Sequence, residues 1–334
     1  MPRRTLHERY ARLHKLGMQA ANQLQAFVSP EQERPLWQQL SEELGEATQD
    51  IAALLLSGTW RTPDEEVDRR IAQLLQGQHL GEFGVDPFGY APESLRVMVP
   101  ILDFLLRVWF RAECFDLNRV PEGRVLLIAN HSGQLPFDGM AIGSALLLEH
   151  EPPRIARTMV EKFATALPGF GDLVYRCGSV TGLPDNCRRL LENDECVLVF
   201  PEGARGIAKP FRERYRMTAF GQGFMRLALE TNTPIVPIAV VGAEEQTINL
   251  GNLELLARLL HFPSMPITPG MAFLGPLAMV PSPVKYRIYF GEPMTFEGDP
   301  NDDEAVIAPK VAAVKASIQT MMDRGLRERR GYFV

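Results

Sequence analysis

The chemistry-bearing feature that stands out first is a histidine and an aspartate in one loop, Ala129-Asn130-His131-Ser132-Gly133-Gln134-Leu135-Pro136-Phe137-Asp138. A histidine is a base near neutral pH. It acts in a defined tautomer when a carboxylate accepts from its other ring nitrogen, and Asp138, with Gly133 and Pro136 letting the loop fold back, is placed to do so. The same aspartate suits the cap of a helix beginning at Gly139, and the two roles are compatible. A second constellation, Phe200-Pro201-Glu202-Gly203-Ala204-Arg205-Gly206, has glycines for close backbone approach and a guanidinium fork for phosphate or carboxylate. Just beyond it, Lys209, Arg212, Arg214 and Arg216 stand against Glu213 alone. With Arg205 they are expected to form a basic patch for anionic ligand groups such as phosphates, the alternative being a solvated, self-compensating surface loop.

Both motifs directly follow apolar runs of strand length. Strands are expected over Arg124–Asn130, Cys196–Phe200, Ile235–Val241 and Tyr286–Phe290, and helices over Asp138–His150, Thr218–Glu230, Leu253–Leu260 and Lys310–Arg324. Alternation of this kind predicts an α/β domain with a mixed, mostly parallel, largely buried sheet flanked by helices. Ligands in such sheets sit beyond the carboxyl ends of the strands, where both motifs fall. Ahead of the domain, residues 1–80 read as a helical N-terminal extension, with apolar spacing from Leu6 to Phe27 and from Leu36 to Leu54. Thr62-Pro63-Asp64-Glu65 reads as a helix start with Thr62 as the cap. Residues 81–94, rich in glycine, proline and aromatics, read as a linker, and 95–334 as the catalytic domain.

The Asn-His…Asp loop, Phe-Pro-Glu-Gly-x-Arg and Pro234-Ile-Val-Pro237 together resemble three of the four blocks of the glycerolipid acyltransferase family, of the lysophosphatidic acid type. The remaining block maps to Gly171-Asp-Leu-Val-Tyr-Arg176, and the resemblance covers roughly residues 95 to 295. It implies His131 as general base and Asp138 as its orienter. It also implies Glu202, Gly203, Arg205 and Arg176 at the acceptor phosphate or headgroup, and Pro237 in the wall of the acyl pocket. The chain departs from the family in two places. Six residues, not four, separate His131 from Asp138, and Ala204 stands where serine or threonine is frequent. The longer loop resembles a branch with Asn-His-Ser-Gly-x-Leu-Pro-x-Asp, some of whose relatives are linked to neutral lipids.

The implied reaction is direct transfer of a fatty acyl group from coenzyme A or acyl carrier protein to a lipid hydroxyl, with no cofactor and no metal. Backbone N–H groups near Ser132 and Gly133 are candidate oxyanion donors. A diacylglycerol or long-chain alcohol as acceptor, a lipid hydrolase or thioesterase, and a silent lipid-binding protein are the competing readings. With 334 residues, 46% hydrophobic and 23% charged, the chain has the composition of a folded protein, and its net charge of -6 argues against nucleic acid as partner. The four sparse cysteines fit a reducing compartment. No run is a clean membrane span, and no secretory signal opens the chain. Leu95–Phe110, interrupted by Arg96, Pro100, Asp103 and Arg107, fits an interfacial helix or one packed on the core equally well. The expected location is the cytoplasmic face of a membrane, peripheral or monotopic. There is no G-x-S-x-G elbow, Walker A loop, G-x-G-x-x-G fingerprint or H-E-x-x-H pair.

Overall fold

The computed structural model describes residues 36–76, 80–133, 136–161, 170–253, 266–268 and 280–334. The expected helices over Leu6–Phe27 and most of Leu253–Leu260 lie outside the described residues. The strands are β1 (Glu113–Phe115), β2 (Val125–Ala129), β3 (Ala156–Val160), β4 (Val180–Thr181), β5 (Cys196–Val199), β6 (Ile235–Val241) and β7 (Arg287–Phe290). They form one sheet in the order β1-β7-β6-β2-β5-β3-β4. Five central and neighbouring strands run parallel, and β6 pairs antiparallel with β7, to which β1 is parallel.

The helices are α1 (Leu36–Ser57), α2 (Asp64–Leu75), α3 (Leu95–Asp103), α4 (Phe137–Leu148), α5 (Phe170–Arg176), α6 (Pro184–Glu192), α7 (Ala204–Ile207), α8 (Gly223–Glu230) and α9 (Glu304–Glu328). They cover both faces of the sheet. Leu127, Leu198, Val236 and Ile288 meet α2, α3 and α4 on one face; Leu126, Val197, Ile235 and Tyr289 meet α6, α8 and α9 on the other. Because both faces are dry, the central strands are continuous apolar runs without alternation, which is why they are legible in the sequence. The short strands β1, β3 and β4 are not, since polar residues break them.

Arg157 is the reason β3 does not read as a strand, and it is fully buried. Its guanidinium lies 2.7 Å from Asp86 and 3.4 Å from Glu195, donates to the Gly178 carbonyl at 2.9 Å, and faces the rings of Phe88 and Tyr90. Removing one member of such a set leaves the other charges uncompensated. Arg157→Met is therefore expected to cost about 3 kcal/mol in urea unfolding at neutral pH. A loss below about 1 kcal/mol would show that the ion pairs do not hold residues 86–90 to the sheet.

One local expectation changes and another is narrowed. Thr62 does not cap α2: its N–H and hydroxyl both donate to Asp103, at 2.7 and 2.9 Å, and the cap position is Pro63. A buried carboxylate needs donors, and this one takes them from the residue that would otherwise cap the helix. The Leu95–Phe110 segment is α3 continued by a π-helical turn over Phe104–Trp109, and it packs on the core through Leu95, Val99, Leu106 and Phe110. Its opposite side exposes Val97 and Ile101, at 72% and 47%.

Candidate active site

β2 ends at Ala129, and the next side chain extends its ladder. Asn130 Nδ2 donates to the Val240 carbonyl at 3.1 Å, and Oδ1 accepts the Val240 N–H at 2.8 Å. The loop thus leaves the sheet at one fixed point, beyond the carboxyl ends of β2 and β6. His131 follows, with its Nδ1 2.8 Å from Asp138 Oδ2. A carboxylate only accepts, so Nδ1 carries the proton and Nε2 presents its lone pair. The imidazole stacks on Phe200 with 4.2 Å between centroids, which fixes the ring plane as Asp138 fixes its rotation. The histidine side chain is 13% exposed and the aspartate 0%.

Asp138 does more than orient the histidine. Oδ2 also accepts the Ser132 N–H at 2.9 Å, and Oδ1 accepts the Gly139 N–H at 2.8 Å near the start of α4. One carboxylate therefore closes the long loop, meets the helix terminus and holds the imidazole. The Ser132 N–H is consumed in this way and is not an oxyanion donor, contrary to the expectation from the loop alone. The Ser132 hydroxyl is buried without a hydrogen-bond partner among the described residues.

The second motif comes alongside from β5. Glu202 Oε1 accepts the His131 N–H at 3.0 Å, and Oε2 accepts the Thr218 N–H at 2.7 Å. Gly206 explains how α7 gets so close: a Cβ there would lie 2.8 Å from that of His131 and 2.9 Å from that of Glu202. Gly203 makes the turn at φ 58°. Lys209 is not on an open basic surface. Its Nζ is 2.9 Å from Glu244 and 3.6 Å from Glu202, with only 6% of the side chain exposed. Arg205 is exposed and donates to the Ala219 carbonyl at 3.2 Å. Arg212 is exposed beside Glu213, while Arg214 covers the ring of Phe211. The basic segment is thus a folded loop with separate partners, and its charges do not converge on one point.

Two expected residues lie elsewhere. The exposed Arg176 ends α5, and its carbonyl accepts the Ala91 N–H at 3.0 Å; among the described residues no contact joins its guanidinium to the His131 loop. Pro237 is buried within β6, opposite Ile128 of β2. On its other side Ile238 pairs with Phe290 and Ile235 with Met294, leaving one extra residue on the β7 side. A proline is tolerated at such a bulge because its missing N–H breaks no ladder bond. Among the described residues no group of His, Cys, Asp or Glu is arranged to hold a metal ion.

Sequence reasoning gave no role to Gly242-Ala243-Glu244-Glu245-Gln246, which directly follows β6. Glu244 bonds Lys209, Glu245 pairs with Arg329 at 2.6 Å, and Gln246 accepts the Tyr286 hydroxyl. Gly133, at φ 75°, rests on the Gln246 amide so closely that a Cβ would collide with it. The available signal was positional: these residues leave a strand at the carboxyl edge next to β2. Burial pushes the Glu244 carboxyl up to about 7, against the opposing pull of Lys209. The folded chain thus keeps a proton that the unfolded chain loses near 4.5. This contribution to stability is full below about 4.5 and is lost as pH rises through about 7. Urea unfolding at pH 5 and 8 should show the native protein losing stability relative to Glu244→Gln, by no more than about 1.4 kcal/mol per pH unit within that window. A parallel pH response of the two proteins would contradict it.

Residues 111–241 match the Acyltransferase family. A Mycobacterium tuberculosis protein described as uncharacterized is 34% identical over 344 residues, covering 100% of this chain and 96% of that protein. The chain belongs to the acyltransferase family. A Gallus gallus protein named as a DGAT1/2-independent enzyme synthesizing storage lipids is 26% identical over 223 residues, 66% of this chain and 63% of that one. The crystal structure of the 1-acyl-sn-glycerophosphate acyltransferase PlsC from Thermotoga maritima aligns at a TM-score of 0.48 and 14% identity, covering 86% of this chain and 96% of that chain.

Proposed function

We propose that the protein transfers a fatty acyl group from an acyl thioester, of coenzyme A or acyl carrier protein, to the hydroxyl of a glycerolipid or lysophospholipid, with His131 as general base. The observation that carries this reading is the 2.8 Å contact between His131 Nδ1 and Asp138, which leaves Nε2 as the acceptor. The acceptor hydroxyl gives its proton to Nε2 as its oxygen attacks the thioester carbonyl. Asp138 stabilises the imidazolium so formed. The tetrahedral intermediate collapses with loss of the thiolate, which takes the proton back from the imidazolium. No acyl-enzyme forms. Holding both substrates over the sheet removes a bimolecular entropy cost.

A second reading, transfer to an uncharged acceptor such as diacylglycerol or a long-chain alcohol, is favoured by Lys209. Its ammonium, beside the carboxylate that holds His131, already meets Glu202 and Glu244 and has no charge left over for an acceptor phosphate. The storage-lipid name of the avian relative points the same way. Mass spectrometry of lipids formed by purified protein from acyl-CoA or acyl carrier protein and a panel of acceptors tests both. Phosphatidic acid supports the first acceptor class, triacylglycerol or a wax-type ester the second. Release of free fatty acid alone, unchanged by any acceptor, would replace a transferase with a hydrolase.

Lipid substrates favour action at a membrane surface, peripherally on the cytoplasmic face. Among the described residues no helix is long and apolar enough to cross a membrane. Val97 and Ile101 stand one turn apart on the exposed side of α3 and suit the apolar boundary of a bilayer. Val97→Asp with Ile101→Asp is expected to weaken sedimentation with phospholipid vesicles about tenfold or more. Activity on detergent-dispersed acceptor should stay the same. Unchanged vesicle binding would remove this helix face from the membrane contact.

A further inference from the structure

Glu244 belongs to none of the motifs in the sequence, yet its carboxylate reaches the His131 loop through two intermediaries. Its Oε1 is 2.9 Å from Lys209 Nζ, and its Oε2 accepts the Tyr215 N–H at 2.7 Å. Lys209 Nζ lies 3.6 Å from Glu202 Oε2 and donates to the Arg216 carbonyl at 3.2 Å. Glu202 in turn accepts the N–H groups of His131 and Thr218. Two carboxylates share one ammonium, and none of the three side chains is more than 6% exposed. The set sums to one negative charge, so losing Lys209 leaves two buried carboxylates without their cation, while losing Glu244 leaves the ammonium without its carboxylate on the β6 side. The adjacent Glu245 does not compete for Lys209, because Arg329 neutralises it from the other side.

We propose that Glu244 is a positioning residue for acyl transfer: through Lys209 it holds Glu202, and so sets together the backbone of His131 and the segment 209–218. The inference rests on the reading of His131 as base, and deepens it. The carboxyl end of β6 is thereby tied to the catalytic end of β2 by a polar chain that is independent of the sheet ladder.

The test uses the full chain and two readouts. In steady-state kinetics with an acyl thioester, Glu244→Gln should lower kcat about 10- to 100-fold, the range a misplaced catalytic group produces, with KM within about twofold. Lys209→Met should do the same, and the double variant should be no slower than the slower single one, because both act through Glu202. In hydrogen exchange, Glu244→Gln should speed exchange in residues 131–138 and 209–218 while leaving β5 unchanged. A kcat within twofold of the native value, multiplicative losses in the double variant, or unchanged exchange in the two loops would each overturn the proposal. If Glu244→Gln does not fold, Glu244→Asp, which keeps the charge but withdraws it by one methylene, is read by the same criteria. If His131→Ala stays active, the assignment of the base fails on its own, and the exchange data still decide whether Glu244 holds the loop.

Discussion

His131→Ala is expected to lower kcat for acyl transfer by about 10²–10⁴-fold, the usual contribution of a placed base. KM for the thioester should change little, because the imidazole is needed at the proton in flight and not for binding the acyl chain. The fold should survive. The ring is partly exposed and stacks on Phe200, while the loop backbone is held from below by Glu202 and Asp138, whose bonds to N–H groups do not depend on the side chain at 131. Thiol release with and without acceptor, alongside a thermal melt, reads all three quantities. A folded variant with kcat within about threefold of the native enzyme would end the case for this histidine as base.

Asp138→Asn should be the other severe substitution, for a reason beyond the loss of charge. The native carboxylate accepts from three donors: His131 Nδ1, the Ser132 N–H and the Gly139 N–H. An amide has one acceptor atom and one donor group. In either orientation its NH2 points at an N–H. If it faces His131, the imidazole must take the other tautomer, with the proton on Nε2 and no lone pair for the substrate hydroxyl. Loss of kcat of about 10²–10⁴-fold is expected, with a stability loss of about 1–3 kcal/mol from the buried unmatched donor. The pair acts as one unit, so Asp138→Asn added to His131→Ala should cost little further kcat. Independent losses that multiply in the double variant would show that Asp138 serves the reaction by a route that does not pass through the imidazole.

The central strands and the helices α4 and α9 were legible in the sequence because their signal is local: a dry strand is a short run of apolar residues, α4 is a longer apolar run buried nearly all round, and α9 repeats its apolar positions along one face. The His131–Asp138 contact was legible for a related reason. Both residues lie in one loop after one strand, so their distance depends on few dihedral angles. β3 was not legible, because Arg157 and Thr158 break its run and the groups that permit a buried arginine come from Asp86 and Glu195, far along the chain. Thr62 reads as a cap from its neighbours alone, but Asp103 claims its N–H and hydroxyl.

The same division runs through the site. Residue types and their spacing along the chain determined the histidine–aspartate pair and the glutamate motif, since each is a short-range arrangement on one strand end. Only the order of strands, with β6 and β5 on either side of β2, decided that Glu202 would hold the His131 backbone and that Lys209 would be drawn away from the surface to sit between Glu202 and Glu244. It also decided that Arg176 would stand apart from them. Charges attract whatever is nearest in space, and in a sheet whose neighbouring strands are not consecutive in the chain, distance along the sequence carries no information about which charges those will be.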